Sequence, residues 1–176
     1  MPNRRKPRKL KPADLHEAAL DHLARYAVSA ARLKQVLMRR IARSAKAHTL
    51  DPEPLLDELA RVIERLTQSG LIDDARFAEM KARGLHRRGG SRRQIAAKLG
   101  AAGVAAPQAH AALAQIAEES ENSELAAALA YAKRRRLGSF RTPADASPER
   151  FRKDLAAMAR AGFALDLARQ ALAGSD

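Results

Sequence analysis

"SRRQIAAKL", residues 91–99, reads as the start of a capped amphipathic helix. Serine is a preferred N-cap because its hydroxyl accepts a backbone N–H that the first helical turn leaves without a partner. Ile95 and Leu99 then fall four residues apart, on one helix face. The same order occurs in "SAARLKQVL" (29–37) and "SPERFRKDL" (147–155): Ser, two residues, Arg or Gln, a large apolar residue, three residues, Leu. Any one capped helix resembles another, but three copies, each between two further helix signals, point to a triplicated three-helix unit. Such units bury their apolar faces against their neighbours. The expected fold is therefore all-α, with three tandem three-helix repeats forming an elongated, curved array.

The remaining helix signals fill in the repeats. "DLHE" from Asp14 has capping-box spacing, with Leu20, Leu23 and Ala27 after it. "DPEP" (51–54) places Asp as a cap and Pro at a first helical position; Leu55, Leu59, Val62 and Leu66 follow, and Gly70 stops the helix. "LIDD" leads into a helix with Phe77, Met80 and Gly84, and Pro107 opens one with Leu113 and Ile116. Leu125, Leu129 and Ala132 define another, "SFRTPADAS" (139–147) a loop, and Phe151, Leu155 and Met158 the next helix; Leu165, Ala168 and Leu172 mark the last. The expected boundaries are a disordered basic arm at 1–12 and repeats at 13–69, 70–120 and 121–176. The arm carries six basic residues, no acid and three prolines, a composition with nothing to pack.

The charge, 33 basic against 20 acidic residues, predicts attraction to polyanions or acidic surfaces. With no cysteine, disulfides, Cys-based zinc sites and thiol catalysis are excluded together. The longest apolar run, Leu125–Ala132, is far short of the roughly 18 residues that span a bilayer. No apolar stretch follows the basic N-terminus, so a soluble cytoplasmic protein is the default, with no membrane partner. "HEAAL" at His16 approaches a zinc-protease motif, but Leu20 replaces the second histidine. The five histidines lack ligand spacing, so neither a metal nor a cofactor is expected. Asp73 and Asp74 read as a cap and a first-turn dipole partner.

Residues 81–98 concentrate seven basic side chains and no acid: Lys81, Arg83, Arg87, Arg88, Arg92, Arg93 and Lys98. Gly89–Gly90 would let a partner approach the backbone, and Ser91 would present free N–H groups at a helix start, which attracts anions. Arg92 and Arg93 oppose their own helix dipole, a cost of a few tenths of a kcal/mol that a bound anion would offset. "KRRR" (Lys133, Arg134, Arg135, Arg136) is a second cluster, at a helix end where the dipole welcomes cations. Acids gather elsewhere, at Asp51, Glu53, Asp57, Glu58 and Glu64 and at Glu118, Glu119, Glu121 and Glu124. The helical aromatics sit at core-type spacing and only Phe140 is free, which argues against base stacking and for contact with backbone phosphates.

Residues 70–104, "GLIDDARFAEMKARGLHRRGGSRRQIAAKLGAAGV", resemble the RecX family, regulators of the RecA recombinase. The matching positions are Leu71–Asp74, Arg76–Ala78, Arg83, Gly89–Gly90, Ile95, Leu99 and Gly103–Val104, with weaker likeness through 19–37 and 123–172. The resemblance implies three tandem three-helix repeats and a partner, the RecA filament on single-stranded DNA. It implies binding in the filament groove and restraint of ATP hydrolysis, strand exchange and coprotease action, and so regulation of DNA repair, recombination and the SOS response. No catalytic residue comes with it. The chain departs from the family in its cationic arm, in Ala102 before the closing glycine, and in a longer loop at 139–147. A self-contained array needs no second copy, so a monomer with weak direct contact to DNA phosphates is expected. The alternative is a direct DNA-binding helical protein, a transcription or chromatin factor.

Overall fold

A computed structural model describes residues 7–120, 122–141 and 147–174. It is all-helical, with no strand among the described residues. The helices are α1 (Asp14–Leu23), α2 (Ala30–His48), α3 (Glu53–Gln68), α4 (Asp74–Arg87), α5 (Arg92–Ala101), α6 (Ala106–Glu119), α7 (Ser123–Arg135), α8 (Pro148–Arg160) and α9 (Leu165–Ala173). A 3-10 turn at Gly138–Phe140 follows α7.

The three aligned serines are the N-caps of the three middle helices. Ser29 Oγ accepts from Arg32 N at 3.1 Å, Ser91 Oγ from Gln94 N at 3.2 Å, and Ser147 Oγ from Arg150 N at 3.4 Å. The helix ends repeat as well. Gly89, Gly103 and Gly162 take positive φ and close α4, α5 and α8. In each, the next residue donates to a carbonyl five positions back: Gly90 to Leu85, Val104 to Leu99, Phe163 to Met158. These are Schellman ends, for which glycine carries no Cβ penalty. Arg136 ends α7 in the same way, at φ 53°.

Packing divides the chain into two compact units, 1–77 and 78–176. In the first, Leu33, Leu37 and Ile41 of α2 meet Leu55, Leu59, Val62 and Leu66 of α3 and Leu15, Ala18 and Ala19 of α1. Ile72 joins this core, three residues past the 69/70 boundary expected from the repeats. The expected arm divides too. Residues 1–6 lie outside the described residues, but 7–12 are docked through one side chain: Leu10 is buried, its N–H donates to Ser44 Oγ at 2.9 Å, and His48 Nε2 meets the Pro7 carbonyl at 2.7 Å, while the other five residues are exposed. One leucine inside a run of cations is enough to dock the segment.

Several expected faces are corrected. In α1, Leu20 is exposed and Asp14 is not the cap; its carboxylate accepts from Lys11 N at 2.9 Å. α1 ends at Leu23, before Ala27. In α4 the buried residues are Ala78 and Ala82, with Met80 exposed, and in α7 they include Ala127, Ala128 and Ala132. Phe151 of α8 is exposed, as is Tyr26. Alanine faces let helix axes approach closely, so in α4 and α7 the largest side chains do not mark the contact stripe. In the second unit a core forms from α7, α8 and α9 around Met158, Phe163 and Leu172. Phe140, expected to be free in a loop, packs against it.

Candidate polyanion-binding site

The turn between α4 and α5 is built from inside the molecule. An added Cβ at Gly89 would lie 2.5 Å from Tyr131 N and 2.9 Å from the Ala127 carbonyl oxygen. Gly89 therefore serves approach by α7, and Gly90 the close turn of α4 into α5, where an added Cβ would lie 3.0 Å from the Leu85 carbonyl oxygen. Ser91 is fully buried and donates to the Ala161 carbonyl at 2.6 Å.

The helix start at Ser91 is not open either. Glu124 places its carboxylate 3.2 Å from Arg92 N, so the anion expected there is supplied by the chain itself. Arg93 NH2 reaches the Ala159 carbonyl, 3.5 Å away in the last turn of α8, where the dipole favours a cation. Of the two arginines that oppose their own dipole, the Arg93 side chain is thus accommodated internally, while Arg92 uses its backbone N–H and keeps its side chain exposed.

Of the eleven basic residues singled out, four have visible internal roles. Arg83 pairs with Glu119, and Arg93 and the Arg92 N–H are used as just described. Arg134 donates to the Arg88 carbonyl and lies 5.6 Å from the Tyr131 ring centroid, a cation–π distance. Arg134 thereby joins the two clusters: the end of α4 and the end of α7 lie side by side. Arg87, Arg88, Lys133, Arg135 and Arg136 are exposed there, and none is in an ion pair among the described residues. Both helix C-termini favour cations, so the patch is held without neutralising acids. Lys98 is exposed on α5 and Lys81 is half-buried on α4.

The acids are spent locally. Glu58 bridges Arg61 and Arg65 at 3.3 and 2.7 Å within α3. The Arg65 hydrogen bond and charge, aided by Arg61, hold its carboxyl below the usual carboxylate range. Asp154, buried in the second unit, takes Arg141 at 2.6 Å and the Gly138 N–H at 2.9 Å. Sequence reasoning missed this pair and also missed the run of cations on α2. That helix carries Arg32, Lys34, Arg39, Arg40, Arg43 and Lys46 with no acid, a signal readable as a bare count.

No group of three His, Cys, Asp or Glu side chains among the described residues is disposed to hold a metal ion. No described helix is long and apolar enough to cross a membrane. The exposed patch offers charge and donors, which suit it to bind phosphate or carboxylate groups.

Comparison with known proteins agrees with this architecture. Residues 73–113 match the family model "RecX, second three-helix domain". The regulatory protein RecX of Myxococcus xanthus is 39% identical over 168 residues, covering 96% of this chain and 89% of that protein. That of Agrobacterium fabrum is 34% identical over 102 residues, 58% of this chain and 52% of the relative. The crystal structure of RecX from Lactobacillus salivarius shares the fold, with a TM-score of 0.67 at 18% identity over 92% of this chain and 94% of that one. With nine helices in three consecutive triplets among the described residues and a relative matched over nearly its whole length, this chain belongs to the RecX family of regulatory proteins.

Proposed function

We propose that this protein regulates the RecA recombinase by binding in the groove of its filament on single-stranded DNA. There it restrains ATP hydrolysis, strand exchange and coprotease action, and so limits recombination, repair and SOS signalling. It works as a cytoplasmic monomer without a catalytic residue or cofactor. The near-full-length match to a regulatory protein RecX carries this reading. The exposed cations at the paired ends of α4 and α7 supply a contact for phosphates or for acidic filament surfaces. Of the residues first singled out, Arg87, Arg88, Lys133, Arg135 and Arg136 make that contact, while Arg83, Arg93 and Arg134 hold the scaffold.

The test is RecA's DNA-dependent ATPase, titrated with this protein. A filament regulator slows hydrolysis at amounts too small to coat the DNA. Inhibition that begins only when the DNA is saturated identifies a direct DNA binder instead.

A further inference from the structure

α2 differs from α3, α8 and α9 in how its charges are balanced. In those helices exposed cations find acids on their own helix: Arg65 with Glu58, Lys153 with Glu149, Arg169 with Asp166. α2 has no acid, and among the described residues none of its six Lys and Arg side chains is in an ion pair. Five of them, Arg32, Lys34, Arg39, Arg43 and Lys46, are exposed. Arg32, Arg39, Arg43 and Lys46 are spaced i, i+7, i+11 and i+14. At 3.6 residues per turn these positions fall within about 60° of one another, a single stripe about 21 Å long. The buried residues Leu33, Leu37, Ile41 and Ser44 fall on the other side of the helix. Two side chains of the stripe are further ordered, Arg43 Nε donating to the Arg39 carbonyl at 3.3 Å and Arg32 to Gln35 Oε1 at 3.4 Å.

Arg39 and Arg43 are like charges four residues apart, an arrangement that destabilises a helix by a few tenths of a kcal/mol. A polyanion laid along the stripe reverses that sign. The shape of the charge selects the partner. A straight row of cations without an intervening acid fits a chain of regularly spaced anions, whereas a folded protein surface mixes both signs. Phosphates recur about every 3.4 Å along one strand of a DNA helix, so about six pass along the length of the stripe.

We infer that the outward face of α2, through Arg32, Arg39, Arg43 and Lys46, is a second nucleic-acid surface that binds the sugar–phosphate backbone of DNA. This surface needs DNA only. It stands whether or not the protein slows the recombinase.

The experiment is fluorescence anisotropy of a labelled oligothymidylate with the full chain over a series of NaCl concentrations. Each phosphate contact on a single strand adds about 0.7 to the slope of log affinity against log salt. The quadruple variant Arg32→Gln, Arg39→Gln, Arg43→Gln and Lys46→Gln is expected to lower the slope by about 2 to 3. The control variant Arg61→Gln, Arg65→Gln, Lys153→Gln and Arg169→Gln removes the same charge from ion-paired sites and is expected to leave the slope nearly unchanged. The single variant Arg39→Gln, expected to lower the slope by about 0.7, serves if the quadruple variant loses helical circular dichroism. The inference is overturned by an unchanged slope in the α2 variants, by an equal fall in the control, or by no binding of the wild type at low salt.

Discussion

The carboxylate of Glu124 accepts the backbone N–H of Arg92 at 3.2 Å, as the carboxylate of Asp74 accepts that of Ala30 at 2.8 Å. Each acid is the first or second residue of the helix that opens the following triplet. Each acceptor satisfies the first N–H of the middle helix before it, beside the serine cap. The third middle helix has no triplet after it among the described residues, and its first residue is Pro148, which has no N–H to satisfy.

This cross-repeat cap sets the expected effect of Glu124→Ala at about 1 kcal/mol of destabilisation, from a lost N-cap contact and a lost charge at a dipole. Glu124→Gln keeps an acceptor and is expected to cost less. Urea unfolding followed by circular dichroism measures both. Equal stability of wild type and Glu124→Ala contradicts the assignment.

Gly89 and Gly70 form a matched pair, with φ of 75° and 74°. Nothing lies within 4 Å of an added Cβ at Gly70, whereas one at Gly89 meets the Tyr131 backbone. Gly70→Ala is expected to cost about 1 kcal/mol from conformation alone, and Gly89→Ala at least about 2 kcal/mol more as α7 is pushed away. Equal costs would show that α7 does not press on the turn.

Asp154 and Arg141 pair with side-chain exposures of 8% and 17%. Removing one partner leaves a charge with little water around it. Asp154→Ala is therefore expected to cost about 3 kcal/mol, while the double change Asp154→Leu with Arg141→Met costs less than the single one. Denaturant midpoints for the three chains decide the point; a double variant worse than Asp154→Ala contradicts it.

Leu10 lies 4% exposed against the first core, with Ser44 accepting from its backbone. Leu10→Ala is expected to destabilise the protein by about 2 kcal/mol. A disordered arm would show no change in thermal unfolding.

What the sequence revealed was local. Ser29, Ser91 and Ser147 announce their helices because a cap is decided within three residues, and Gly89, Gly103 and Gly162 end theirs for the same reason. The face of α4 was hidden because Ala78 and Ala82, which make it, have no strong hydrophobic signature, while Met80 beside them does and points outward. The candidate site was half legible. Clustering found Arg87, Arg88 and Lys133 to Arg136, but not the Arg134 bond that joins them. Nor does a local pattern report Glu124 capping a helix start 32 residues earlier, so an anion site that the chain already fills looked empty.

The central claim is that the exposed ends of α4 and α7 engage the RecA filament. Its most direct test compares the ATPase inhibition midpoint of the wild type with that of a variant carrying Arg87→Ser, Arg135→Ser and Arg136→Gly. The glycine relieves the left-handed backbone at Arg136, so folding is retained. The account predicts a midpoint raised about tenfold, roughly 1.4 kcal/mol of binding, with an unchanged melting curve. An unchanged midpoint in the folded variant would contradict it.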